Sequence, residues 1–206
     1  MAIISNATTI ADAGSFSVGL GAMTLIKTIT ASNSSTISFV HGSSSVVLNN
    51  TYPIYMFKFL NLHCQTDDSD LMVSFSKDAG SNYNRTITST FFQAYNTPGA
   101  TTGQLGYLGT KDSGSSTTTV PLEHSVGNAN DESCSGHMFL YNPSGSVHMK
   151  NFTSRIAIKH HSQGNSQDCF SAGYIRESED IDAVRFNKNQ GNIDSGVIKL
   201  YGIKDS

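Results

Sequence analysis

Tryptophan is absent from this chain of 206 residues, proline occurs 4 times, cysteine 3 times, and only 14% of residues are charged. Thin charge with abundant glycine and small polar residues argues against a charge-laced helical bundle and favours turn-rich β structure. Neither sign dominates, with 13 Lys and Arg against 16 Asp and Glu for a net charge of −3. Lys58, Lys77, Arg85, Lys150 and Arg185 are scattered along the chain. The dense positive field that neutralises a phosphate backbone is missing, which excludes nucleic acid as a partner.

Cys64, Cys134 and Cys169 lie far apart, odd in number and without a C-x-x-C, so neither a disulfide framework nor a local zinc knuckle is indicated. A reducing site of synthesis is the simplest expectation, and a bridge between two of the three stays open. The opening Met1–Asn6 has no basic or continuously apolar region of the secretory kind. Nor does any later stretch reach the roughly 20 apolar residues that span a bilayer. The expectation is a soluble protein made without Sec-type export and without membrane insertion.

Motifs for chemistry are also missing. No H-x-H or H-E-x-x-H occurs, and His160 and His161 should point to opposite faces of one strand, so a metal site within one chain is not expected. A histidine from each subunit around a symmetry axis stays open. Asp67-Asp68-Ser69-Asp70 lacks the spacing and glycine of a calcium loop and reads as a solvated acidic turn. There is no G-x-S-x-G elbow, and Glu177, Glu179 and Asp180 share one turn where solvation explains them. Gly19-Leu20-Gly21 is followed by no strand-to-helix transition or phosphate-binding lysine. The chain is therefore expected to be no enzyme, with no catalytic residues, no cofactor and no metal.

What is present is a succession of short β-prone runs divided by turn residues. Strands are expected at 23–30, 36–40, 46–48, 54–62, 71–75, 85–95, 104–108, 117–126, 136–141, 147–160, 169–176, 181–186 and 196–203. Residues 54–60 are apolar on both alternating faces, as for a central strand covered on both sides. Leu71, Val73 and Phe75 alternate with Met72, Ser74 and Ser76, as for a half-solvated strand. Phe152, Ser154, Ile156 and Ile158 share one face of a strand that crosses the core. The fold expected is all-β: a jelly-roll-like antiparallel β-sandwich forming one domain over 22–206, preceded by a short extended arm over 1–21. The arm is nearly uncharged, and its apolar residues Ile3, Ile4, Ile10, Phe16 and Val18 are the candidates for assembly or docking.

Two loops have the composition of a ligand site: 96–103 and 127–135, rich in Asn, Gly and hydroxyls and flanked by Tyr95, Tyr107 and Tyr141. Such groups hydrogen-bond sugar hydroxyls while an aromatic face covers a pyranose. The candidates are Tyr95, Asn96, Thr101, Tyr107, Asn128, Asn130 and Tyr141. The bland reading of both loops is hairpin connection.

Residues 22–29, 38–42 and 55–63, together with the ending Gly191–Ile203, resemble small proteins of marine tailed bacteriophages. The ending is similar to a C-terminal strand pair of that family. The resemblance spans 22–203 and implies a virion structural component, a capsid decoration, fibre or tail-fibre subunit assembled in the bacterial host cytoplasm. It implies no catalytic residue. Partners expected on this reading are copies of the chain, a homotrimer by analogy with viral jelly rolls, other virion proteins and host surface glycans. The alternative is a freestanding carbohydrate-binding module.

Overall fold

A computed structural model describes residues 3–5, 8–12, 15–16, 22–99, 103–162 and 164–204, the first three stretches by backbone alone. Three short strands, β1 (Ile3–Ser5), β2 (Thr8–Asp12) and β3 (Ser15–Phe16), pair antiparallel as a sheet of their own in the order β1-β2-β3. The expected extended arm is thus a small meander in its described backbone. The side chains of Ile3, Ile4, Ile10 and Phe16 are outside the described atoms, and Val18 is outside the described residues.

Beyond the arm the strands are β4 (Met23–Thr30), β5 (Ile37–Val40), β6 (Ile54–Cys64), β7 (Leu71–Ser76), β8 (Ile87–Asn96) and β9 (Gly103–Tyr107). A single 3-10 turn at Gly109–Lys111 is followed by β10 (Ser113–Ser116), β11 (Val120–Pro121) and β12 (Cys134–Tyr141). The chain then runs through β13 (Lys150–Lys159), β14 (Ser166–Ile175), β15 (Ala183–Lys188) and β16 (Ile193–Ile203). The chain is all-β with antiparallel pairing throughout. A nine-stranded sheet runs β10-β8-β14-β13-β12-β6-β16-β4, with β9 also on β8, and a four-stranded sheet runs β11-β7-β15-β5.

Alternation along the strands makes these sheets pack. On β6 the side chains of Tyr55, Phe57, Phe59 and Leu62 are fully buried, and on β13 every second residue from Lys150 to Ile158 is buried. Rings from the two sheets interlock: Phe57 lies 5.3 Å from Phe39 of β5 and 5.2 Å from Phe186 of β15, while Phe59 is 5.2 Å from Phe186. These edge-on arrangements place the positive ring edge against the negative face of the next ring. Phe75 of β7 meets Phe152 of β13 at 5.7 Å, extending the interior across the sheet.

Several sequence expectations need correction. Val46 and Leu48 are buried without forming a strand, because the backbone turns through positive φ at Ser44 and Ser45 and carries them inward from a loop. The strand expected at 117–126 shrinks to Val120–Pro121, since Pro121 has no N–H for a ladder and Ser125 turns away at φ 65°. β7 is not half-solvated: Ser74 and Ser76 are buried beneath Arg185, whose guanidinium lies 4.2 Å from the Tyr83 ring, and the 77–83 turn. The ending 191–203 is one strand, not a pair, and β16 lies between β6 and β4. Lys204 donates its N–H to Ala22 at 2.8 Å, so the two ends of this domain meet.

The turn at 177–180 contains no helix, and Glu177 is not simply solvated. It lies 3.0 Å from both Lys77 and Arg85, tying the turn after β14 to the segment after β7. Burial works to raise its pKa, but bonds from Lys77, the Glu179 amide and Arg85 outweigh it and hold the carboxyl at about 2 against an ordinary 4.5. The contribution is therefore complete above pH 4.5 and is lost as pH falls toward about 2. Urea unfolding of Glu177→Gln should show a loss at pH 7 that shrinks steadily below pH 4.5. In the core, Phe57→Ala should cost about 3–5 kcal/mol by the same measurement, because the rings of Phe39 and Phe186 lose their shared neighbour.

Candidate functional site

The outer face of the nine-stranded sheet gathers aromatic and cationic side chains. Strand register sets them in rows. One row reads Leu25, Tyr201, Met56, Phe139, Thr153, Ala172 and Thr90 across β4, β16, β6, β12, β13, β14 and β8. The next reads Met23, Ile203, Ile54, Tyr141, Asn151 and Tyr174. A third carries Lys199, Lys58, His137, Arg155, Phe170, Phe92 and Tyr107. The face is thus apolar toward β4, cationic through its middle and aromatic toward β9.

Within the third row, Phe170 and Phe92 stack in parallel with centroids 4.6 Å apart, and Arg155 lies 5.1 Å from the Phe170 ring. Asp168 grips the same guanidinium through Nε at 3.0 Å and Nη2 at 2.7 Å, fixing its plane. A groove of about 440 Å³ runs beside this pair, lined by Ser135, His137, Arg155, Ala157 and Asp168. Burial lowers the His137 pKa, with Arg155 and Lys58 adding to the effect, so its imidazole is neutral at pH 7. The ensemble can stack planar groups and donate hydrogen bonds. It presents no nucleophile beside a base.

The sequence-derived ligand residues do not form one site. Tyr107 and Tyr141 share the outer face but stand on the edge strand β9 and the inner strand β12, with β8, β14 and β13 between them, and their hydroxyls are bonded to Asp112 and to Thr153 (3.0 Å) respectively. Tyr95 falls on the other side of β8, in the same alternation as buried Phe91, with its hydroxyl 3.0 Å from Gln104. Asn96 ends β8 opposite Gly103, and Thr101 lies outside the described residues. Asn128 is spent on local structure, its amide donating to the Gln65 carbonyl at 3.2 Å. Asn130 lines a polar hollow of about 300 Å³ with Asn61, His63, Glu132 and Ser195.

Sequence reading missed Phe92, Phe170, Arg155 and His137. The available signal was the pair Phe91-Phe92, which in a strand must send one ring to each face.

A second concentration of polar groups is structural. Lys188 and Glu123 form an ion pair of 2.9 Å with both side chains fully buried. Burial opposes the Lys188 charge, yet Glu123 outweighs it and raises the lysine pKa. Asp70, expected in a solvated turn, is buried and accepts from Lys111 and from the Ser125 N–H (2.9 Å). Beside it, His160 and His161 have rings 4.5 Å apart rather than on opposite faces, because β13 ends at Lys159 and strand alternation stops there. His124 joins them 5.7 Å from His160. Burial lowers the pKa of both His124 and His160, aided by Lys111 and His161 respectively. Among the described residues no group of three or more His, Cys, Asp or Glu is arranged to hold a metal ion.

All three cysteines are free and buried, and burial pushes the Cys64 thiol up to about 11 and Cys134 up to about 12. These are inert packing groups at neutral pH.

Lys188→Met should destabilise the fold by about 3–5 kcal/mol, because it strands a buried carboxylate. Lys188→Met with Glu123→Leu should recover most of that loss in urea unfolding. An equal loss in the double variant would show that packing, not charge, holds this corner.

Comparison with known proteins gives no matching family model, no matching curated protein and no matching solved structure.

Proposed function

We propose that the chain is a structural subunit on the surface of a tailed bacteriophage particle, a capsid decoration, fibre or tail-fibre protein, built as a jelly roll and performing no catalysis. The observation that carries this reading is strand order. Counted from β5, with β9 and β10 sharing one position and the β12-β13-β14 meander another, the small sheet takes the first, eighth, third and sixth positions. The large sheet takes the second, seventh, fourth and fifth. That order supports the jelly-roll reading, since a double Greek key of eight strands takes it in viral capsid, lectin and cupin domains alike; here the seventh strand would be tripled, with β16 and β4 added at one edge.

Fold alone does not assign function. The segments that resemble phage proteins add to it: 22–29, 55–63 and 191–203 fall on β4, β6 and β16, adjacent strands of one sheet, and 38–42 on β5 of the other. The arm over 1–21 leaves this sheet at Ala22 and is proposed to dock on the particle.

In infected cells, the protein lacking residues 1–21 should fold, with an unchanged β-type circular dichroism spectrum of residues 22–206, yet be missing from purified particles by mass spectrometry. Normal incorporation would remove the docking role from the arm, and absence of the full chain from particles would sink the virion reading. A second reading, glycan binding, rests on Tyr107, which leaves 67% of its surface exposed beside Phe92. Glycan arrays with the full chain and with Tyr107→Ala separate the two.

A further inference from the structure

The two sheets differ in what they show to solvent. Outward from the four-stranded sheet point Ser38, Ser74, Arg185 and Asn187, and the turn bearing Tyr83 lies over them. Outward from β4, β16, β6 and β12 point two rows of apolar side chains with no described segment across them: Leu25, Tyr201, Met56 and Phe139, then Met23, Ile203, Ile54 and Tyr141. Met23 and Leu25 each keep 51% of their surface exposed, on β4, the last strand of the sheet. β6 carries Ile54, Met56 and Leu60 outward as well as its inward rings, and among the described residues only its inner face is covered by the other sheet.

We infer that this outer face seats a second copy of the same chain. Strand spacing of about 4.8 Å gives the apolar rows a footprint of roughly 20 Å by 14 Å, about 300 Å². Continued from β4 to β8 the same two rows measure roughly 33 Å by 14 Å, about 460 Å² on each partner, the size of a weak, reversible interface. Its composition has the anatomy of one: an apolar centre rimmed by Thr153, Asn151, Arg155 and Asp168.

The charge pattern favours a copy of itself. Lys58 and Lys199 sit side by side along one margin of the apolar rows, with no ion-pair partner among the described residues. A two-fold axis running across the strands carries that lysine pair to the opposite margin of the facing copy. Apolar rows then meet apolar rows, and like charges stay apart. The contact is isologous, the commonest geometry of homo-oligomers. It stands independently of the virion reading, since it needs only the purified protein.

The mass given by light scattering on the full chain over a concentration series should rise from one chain toward two chains, or a multiple of two, at the high end. Leu25→Glu and Met56→Glu should each reduce it to one chain while the circular dichroism spectrum stays β-type; Leu25 is half exposed, so the monomer can accept the change. Thr117→Glu, on an exposed loop, should leave the assembly intact. A wild-type chain that stays monomeric throughout the series would overturn the inference. So would an assembly that survives both glutamates, or one that dissociates only when residues 1–21 are removed.

Discussion

Everything in this molecule depends on β6 meeting the small sheet. Phe57 and Phe59 project from the middle of the nine-stranded sheet into the rings of Phe39 and Phe186, and among the described residues no other contact joins the layers through so many aromatic groups. Burying rings of this size supplies the largest hydrophobic driving force available to a chain without tryptophan. The geometry also has a directional consequence. Edge-to-face packing tolerates little sliding, so the relative position of the sheets is fixed, and with it the rows on the outer face.

The polar corner complements this by fixing position rather than adding cohesion. A fully buried lysine and glutamate gain little net stability over apolar residues of the same shape, since dehydrating both charges is costly. What they do impose is exclusivity: Glu123 also takes the Leu71 N–H, so β7, the loop after β11 and β15 meet in one arrangement only. A slipped register of β15 would bury Lys188 without its partner, and that penalty selects against the wrong pairing.

The sequence made the strands legible wherever solvent was the alternative to the core. On β13, Phe152, Ser154, Ile156 and Ile158 alternate with exposed residues, and the structure repeats that alternation. Legibility failed where the chain covers itself. Ser74 and Ser76 look like solvent-facing residues, yet a distant arginine and a turn close over them. The ligand residues failed for a topological reason: Tyr95, Tyr107 and Tyr141 flank similar loops, but which face and which end each occupies depends on three strands, β12 to β14, lying between β6 and β8. Pairing order of that kind is decided by long-range packing and leaves no local trace. The two-sided apolarity of β6 was readable in advance, although the cover expected on its second side is not supplied by the described chain.

The bond from Lys204 to Ala22 brings the beginning and the finish of this domain to one point on the rim of the larger sheet. Permuted chains become natural as a result: a short linker from residue 204 to residue 22, with new ends opened at the Gly42–Ser45 bend between the sheets, would retain every ladder from β4 to β16. A fluorophore or affinity handle attached after residue 204 would emerge beside the root of the arm, at the margin nearest Met23.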